Sequence, residues 1–144
     1  MNAPLPSIRS FLSNLPSLQA DTKVRFLGCV RSYRIPTGHL VLEHNYPHRK
    51  PPQEPASVLV DINAVLESVT AEELRVGAWV NVLGYVRRRK VVDFGPAGVF
   101  PDICIEAVLV IPAVVELGEY ERILSESLEV ERRIRRNQGS FKLR

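Results

Sequence analysis

Four consecutive cations, from Arg87 to Lys90, follow an apolar stretch and are followed in turn by two phenylalanines. A smaller group near residue 31 combines two arginines with a tyrosine. Cations neutralise phosphates, and aromatic faces stack on bases without reading their sequence. These residue types predict contact with a single-stranded nucleic acid through Arg31, Tyr33, Arg34, Arg87, Arg88, Arg89, Lys90, Phe94 and Phe100. The alternative is that the cations are a solvated strand end and that the phenylalanines hold their loop against the core.

Three histidines could bind a metal ion. His39, His44 and His48 lie near Glu43, but they fall on a hairpin and a proline-rich loop, where surface histidines are commoner than ligands. We therefore predict no metal site. His44 and Tyr46 could instead add base stacking to the nucleic-acid surface.

The sequence contains no motif for catalysis. It has no glycine-rich phosphate loop, no nucleophile elbow and no H-E-x-x-H zinc motif. The adjacent acids Glu72 and Glu73 are explained by helix capping and solvation, because Thr70 and Glu73 have the spacing of a capping box. We expect a protein that is not an enzyme and that needs no cofactor.

Composition places the 144-residue chain among ordinary globular domains, since 45% of its residues are apolar and 24% are charged. The net charge of +3 permits contact with nucleic acid without requiring it. Cys29 and Cys104 stand far apart in apolar runs, which indicates two buried, reduced thiols. No apolar run reaches the length of a membrane span, so we expect a soluble, intracellular protein that does not bind membranes.

The elements that must position these residues follow from periodicity. Residues 23–34 alternate as a strand, with Val24, Phe26, Gly28 and Val30 on one side and Gly28 marking a bulge or bend. The other segments with strand character are 39–46, 57–62, 79–86 and 103–111; short helical pieces are expected over 63–69 and 70–77. The cations after Val86 are interpreted as the start of a long loop, and Trp79, Val80, Val82 and Leu83 as core residues. Three parts result: an arm with one short helix over 1–22, a barrel over 23–112, and a helix with a tail over 113–144.

Five strands with a helical insert between the third and fourth are the order of the OB-fold, a Greek-key barrel that binds oligonucleotides or oligosaccharides. The predicted class is therefore all-β with added helices, the last of them long and C-terminal. The order of elements alone also permits an SH3-like barrel or another small β+α fold.

The C-terminal segment is predicted to form one helix from Leu117 to about Gln138, with Gly139 as its stop. Such a helix is roughly 30 Å long, more than the end of a small barrel can cover. We therefore prefer a partner-binding surface over packing against the chain's own barrel. The candidate residues are Leu117, Tyr120, Ile123, Leu124, Leu128 and Ile134.

Four segments, KVRFLGCVRSY, LVLEHNYP, VLVDINAVLE and VGAWVNVLGYV, together resemble the fungal Ten-one family over residues 9 to 135. These proteins are the small OB-fold subunits of the CST telomere-capping complex and are similar to the small subunit of replication protein A. The segment DFGPAGVFPD matches no signature of the family.

The resemblance implies a non-catalytic subunit in the nucleus, at the telomeric region of chromosomes. It implies pairing with the OB-fold of a larger partner, Stn-one, through helix–helix and barrel contacts. The dimer would join a third subunit to protect single-stranded telomeric DNA, which the small subunit alone would bind weakly, and to regulate its replication. The alternative is a free-standing OB-fold protein that binds single-stranded DNA or RNA; nothing in the sequence supports an oligosaccharide-binding or enzyme-appended module.

Overall fold

The computed structural model describes residues 6–89, 98–114 and 116–142, with side chains up to residue 137. In chain order the elements are β1 (Ile8–Arg9), a 3-10 helix (Leu12–Ser17), β2 (Lys23–Arg34), β3 (His39–Glu43), β4 (Ser57–Asp61), a second 3-10 helix (Asn63–Val65), β5 (Trp79–Arg88), β6 (Val99–Pro112) and α1 (Leu117–Lys142). Residues 1–114 and 115–144 are two separate compact units. No helix in the described part of the chain combines the length and the apolar character needed to cross a bilayer.

Strands β2 to β6 close into a barrel. The long β2 pairs with β5 through its first half and with β3 through its second half, both antiparallel. β3 continues to β4, β4 pairs in parallel with β6, and β6 returns antiparallel to β5. This is the predicted five-stranded OB-fold. The short β1 adds a sixth strand, which pairs in parallel with β2.

The core side predicted for β2 is confirmed for Val24, Phe26 and Val30, which are buried in the core, whereas Leu27 on the other side of the strand is buried as well. In β5 the buried positions are Val80, Val82, Gly84 and Val86. Val80 and Val82 were predicted as core residues correctly, whereas Trp79 and Leu83 are half-buried on the other face of the strand. Their prediction was wrong because a run of large apolar residues hides the two-residue period of the strand.

Two glycines allow the barrel strands to approach one another closely. A Cβ on Gly28 would lie 2.9 Å from Cβ of Leu42, whereas the register shift in β2 falls later, between Val30 and Ser32. Gly28 therefore serves a close approach and not the bulge that was predicted. Gly84 combines both roles, because the register of β5 and β6 shifts between Leu83 and Gly84.

Segments outside the strands help to fill the barrel. The predicted helix of the N-terminal arm is the first 3-10 helix, whose Leu12 and Leu15 are fully buried in the core. The insert between β4 and β5 contributes Val65, with Val69 and Leu74 packed against the same core. The insert is less helical than expected: beyond the second 3-10 helix, residues 70–77 form turns.

The C-terminal unit contains α1, which begins at Leu117 as predicted. The helix continues through Gly139 to Lys142, so the predicted stop at Gly139 was wrong. A glycine inside a helix costs only about 1 kcal/mol relative to alanine, which neighbouring good helix formers offset.

Candidate nucleic-acid interface and partner-binding helix

Arg87 and Arg88 are part of β5 and pair with Cys104 and Ile103 of β6, so the interpretation of this run as loop was wrong for both residues. The guanidinium of Arg87 contacts two carboxylates, forming an ion pair with Asp21 and a 2.9 Å bond from Nε to Oε2 of Glu106. These hydrogen bonds, first that to Glu106, raise the pKa of Arg87 further. The positive charge of Arg87 is thus neutralised within the chain.

Arg88 ties the N-terminal arm to β5. Its Nη1 lies 3.1 Å from the carboxylate of Asp102, and its Nη2 donates to the carbonyl oxygens of Pro16 at 3.0 Å and Leu18 at 2.8 Å. The planar fork of a guanidinium suits several acceptors at once, as a lysine ammonium does not. This arrangement gives Arg88 a structural task at the exit of the first 3-10 helix.

The remaining predicted residues after β5 divide into two groups. Arg89 donates from Nε to the carbonyl oxygen of Pro101 at 3.0 Å, and Phe100 is partly buried against the core. Phe100 thus holds its segment to the barrel, which was the alternative to base stacking. Lys90 and Phe94 lie outside the described residues.

The predicted nucleic-acid-binding residues Arg31, Tyr33 and Arg34 lie at the end of β2. Tyr33 is partly buried against the core, Arg31 is half-buried and Arg34 is exposed, paired in register with His39. His39 is in turn paired with Asp61, the last residue of β4, whereas Ser57 at the start of β4 bonds to Gly98. Arg87 pairs with Cys104 of β6, which pairs with Leu59 in the middle of β4, so Arg87 lies two residues along β4 from the level of Arg34.

An aromatic cluster that the sequence did not predict joins the arm to the barrel. Phe11 lies 4.5 Å from Tyr46 between ring centroids, and His44 meets Trp79 edge-on at 5.5 Å. His44 is buried, so the expectation that it is a surface histidine that could stack on bases was wrong. No group of three or more metal-ligating side chains occurs among the described residues. Nothing local in the sequence links Phe11 to residues more than thirty positions later.

The two cysteines are half-buried and unbonded to each other, less buried than predicted. Burial, and secondarily the charge of Asp61, raises the pKa of the Cys104 thiol to about 11. Burial also raises the pKa of Cys29, with Glu43 as a second cause. Both thiols are therefore protonated at neutral pH and are weak nucleophiles.

Helix α1 carries the predicted partner-binding residues. Of these, Ile123 and Ile134 are 45% and 51% exposed, whereas Leu124 is buried within the chain. Val130, which was not among the predicted residues, is 54% exposed. Leu117, Tyr120 and Leu128 are half-buried. Because residues seven and four positions apart share one face of a helix, the three exposed residues form a single stripe. We call Ile123, Val130 and Ile134 the exposed stripe.

The closed barrel, with the N-terminal arm packed against its core, defines a protein of the OB-fold class. Comparisons with known proteins support this class. The chain is similar to a chain in the crystal structure of an S. pombe Stn1–Ten1 complex, with 24% identity, a TM-score of 0.64, and coverage of 88% of this chain and 96% of that chain. It is similar to the telomere-capping protein Ten1 of S. pombe, with 25% identity, a TM-score of 0.62, and coverage of 86% and 99%. A U. maydis replication protein A bound to single-stranded DNA shares the fold at 13% identity, with a TM-score of 0.55 and coverage of 88% and 94%.

Residues 1–125 match the sequence model of the Ten1 family, described as telomere capping, CST complex subunit. The chain belongs to this family, the one that its sequence resembles. No curated protein sequence matches the chain significantly.

Proposed function

We propose that this protein is the small, non-catalytic subunit of a telomere-capping complex and that it pairs with an Stn1-like OB-fold protein. In this role it acts in the nucleus, at telomeres, and helps to protect single-stranded DNA and to regulate its replication. The observation that carries the proposal is the exposed stripe on α1 of a chain that belongs to the Ten1 family. Large apolar side chains in a row on a helix are unfavourable in water and favour docking against an apolar partner.

The alternative of a free-standing binder of single-stranded DNA or RNA has less support. Its main cations were Arg87 and Arg88, and both guanidiniums are bonded to carboxylates of the chain. Phosphate binding there requires breaking these ion pairs. Of the barrel residues predicted to bind nucleic acid, Arg34 is exposed at a strand end and keeps that predicted role. The structure thus favours pairing as the main task of the chain.

Co-expression with an Stn1-like OB domain and affinity purification test the pairing. The double variant Ile123→Glu and Ile134→Glu places two charges in the exposed stripe and should reduce the recovered partner at least tenfold, because burying an unpaired carboxylate costs several kcal/mol. Both side chains are exposed, so the variant should keep the circular dichroism spectrum of the wild type.

The matched control is Ser125→Glu with Arg132→Gln. This variant changes the net charge by the same amount, at positions that lie about half a helical turn away from Ile134. It should pair normally. Undiminished pairing of the stripe variant, or equal loss in both variants, contradicts the assignment of the stripe to the partner.

A further inference from the structure

We propose that the C-terminal half of α1 binds the phosphate backbone of single-stranded DNA through Arg132, Arg133 and Arg136. We call these three residues the arginine cluster. The inference rests on the proposed function only for its choice of ligand, since single-stranded DNA is what a telomere-capping subunit meets. It assigns phosphate binding to the helix and not to the loops of the barrel.

The distribution of charge along the chain is the first argument. Residues 1–125, which match the family, contain 13 basic and 13 acidic residues and are neutral. Residues 126–144 contain 6 basic and 3 acidic residues, so the whole net charge of +3 lies beyond the matched part. A localised excess of arginine attracts a polyanion more strongly than the same charge spread over the surface.

The contacts of the arginine cluster are the second argument. All three guanidiniums lie around one carboxylate, with nitrogen–oxygen distances to Glu129 of 3.5 Å for Arg132, 3.3 Å for Arg133 and 3.7 Å for Arg136. One carboxylate neutralises one of three charges, so two remain. Each arginine side chain is at least 66% exposed, so a phosphate can approach it without displacing other side chains.

The position of the cluster on the helix is the third argument. Successive residues of an α-helix are rotated by about 100°, which places Arg132 and Arg136 on the side away from Ile134 and Val130, and Arg133 beside Val130. The exposed stripe and the arginine cluster therefore adjoin at Val130 and Arg133, whereas Arg132 and Arg136 lie clear of the stripe. A partner can cover the exposed stripe while a DNA strand contacts Arg132 and Arg136, with Arg133 at the border between the two.

The chemistry of the groups favours a phosphate backbone. The guanidinium fork binds phosphate oxygens through two parallel hydrogen bonds, and such contacts carry no sequence information. The barrel arginines are less available to a phosphate, since Arg87 and Arg88 are already bonded within the chain. An acidic protein is the competing ligand, and the experiment below separates it from DNA.

The test is a fluorescence anisotropy titration of the full chain with a labelled single-stranded thymidine 18-mer, repeated over a series of salt concentrations. The variant Arg132→Gln, Arg133→Gln and Arg136→Gln should bind at least tenfold more weakly at low salt. Each lost phosphate contact on a single strand reduces the slope of log affinity against log salt by about 0.7, so the slope should fall by about 2. The variant Glu129→Gln removes the competing carboxylate and should bind more tightly than the wild type.

Two charge-matched controls use exposed residues away from the cluster. The first is Arg25→Gln, Arg75→Gln and Arg122→Gln, and the second is Glu119→Gln, ten residues before Glu129 on the same helix. Both should leave the salt slope near that of the wild type. The proposal is overturned if the cluster variant and the control variants change the salt slope equally. It is also overturned if the wild type does not bind at low salt, or if Glu129→Gln binds no more tightly than the wild type.

Polyglutamate of the same charge as the 18-mer serves as a competitor in the same titration. It should displace the DNA far less effectively than unlabelled thymidine 18-mer does. Equal displacement by polyglutamate would assign the arginine cluster to an acidic protein and overturn the DNA proposal. Partner recovery, which tests the proposed function, is measured separately, so either proposal can fail while the other stands.

Discussion

The guanidinium of Arg88 donates a 2.8 Å hydrogen bond to the carbonyl oxygen of Leu18, seventy residues earlier in the chain. The bond joins the end of β5 to the exit of the 3-10 helix whose Leu12 and Leu15 are buried in the barrel core. Since the last carbonyl groups of a helix have no partner inside it, an external donor stabilises that end. Arg88 thus helps to hold in place the arm that completes the core.

Replacing Arg88 with alanine should release this arm. We expect the free energy of unfolding to fall by about 1–2 kcal/mol, the range for hydrogen bonds to a charged group that is partly exposed to solvent. Urea denaturation measures the loss. Trypsin should also cleave faster at Arg9 and Lys23, which lie on either side of the first 3-10 helix.

Two substitutions show whether the fork or the charge matters at this position. Arg88→Lys keeps the charge but lacks the fork that reaches both carbonyl groups, so it should recover only part of the lost stability. Arg25→Ala removes one exposed cation but keeps the main-chain pairing of residue 25 with β1, so it should change stability by less than about 0.5 kcal/mol. Full recovery by lysine would mean that the bonds to Pro16 and Leu18 contribute nothing of their own.

How well the sequence predicts a structural feature depends on how far apart in the chain the residues that form it lie. The bounds of β2 were predicted correctly, because alternation is a local signal that four or five residues suffice to show. The task of Arg88 was not predictable, because a run of cations does not reveal that Pro16, Leu18 and Asp102 lie beside it in the fold. The same holds for His44, whose burial results from aromatic neighbours far away in the chain.

The insert between β4 and β5 is an intermediate case. The spacing of Thr70 and Glu73 predicted a capping box, and the two side chains do bond, with Oε2 of Glu73 accepting from the Thr70 amide at 2.6 Å and from its hydroxyl at 2.5 Å. The helix that such a box usually begins is absent from these residues, which form turns. The carboxylate half of the predicted box is therefore present, with the Thr70 hydroxyl donating to the same carboxylate, whereas the longer helix predicted from it is not.

Glu73 should make the stability of the protein sensitive to acid. The hydrogen bond from the Thr70 hydroxyl, followed by that from its amide, lowers the pKa of the Glu73 carboxyl below its ordinary value of 4.5. Because the folded pKa is the lower one, this stabilisation is present above pH 4.5 and is lost as the pH falls through the folded pKa. Glu73→Gln should therefore be less stable than the wild type at pH 7, by on the order of 1 kcal/mol, and this difference should narrow below pH 4.5.

Urea denaturation at pH 7, 5 and 3 measures this effect. The neighbouring Glu72 is exposed, so Glu72→Gln makes the same change of charge without disturbing the turn. Its stability should stay within about 0.5 kcal/mol of the wild type at pH 7. A difference for Glu73→Gln that is the same at all three pH values would show that the ionised carboxylate does not stabilise the turn.

The two glycines at positions 84 and 118 should respond in opposite ways to alanine. A Cβ on Gly84 would lie 2.5 Å from the main-chain oxygen of Glu106, and the strand pair β5–β6 cannot separate without losing ladder hydrogen bonds; we expect Gly84→Ala to destabilise the fold by about 2 kcal/mol or more. Gly118 lies in the first turn of α1, where a Cβ would meet no heavy atom of the described residues within 4 Å, and alanine is the better helix former. Gly118→Ala should therefore leave the midpoint of urea denaturation unchanged or raise it. Equal losses of stability in both variants would mean that the destabilisation at Gly84 does not come from the close approach of β6. The bulge at Leu83–Gly84 would then need another explanation.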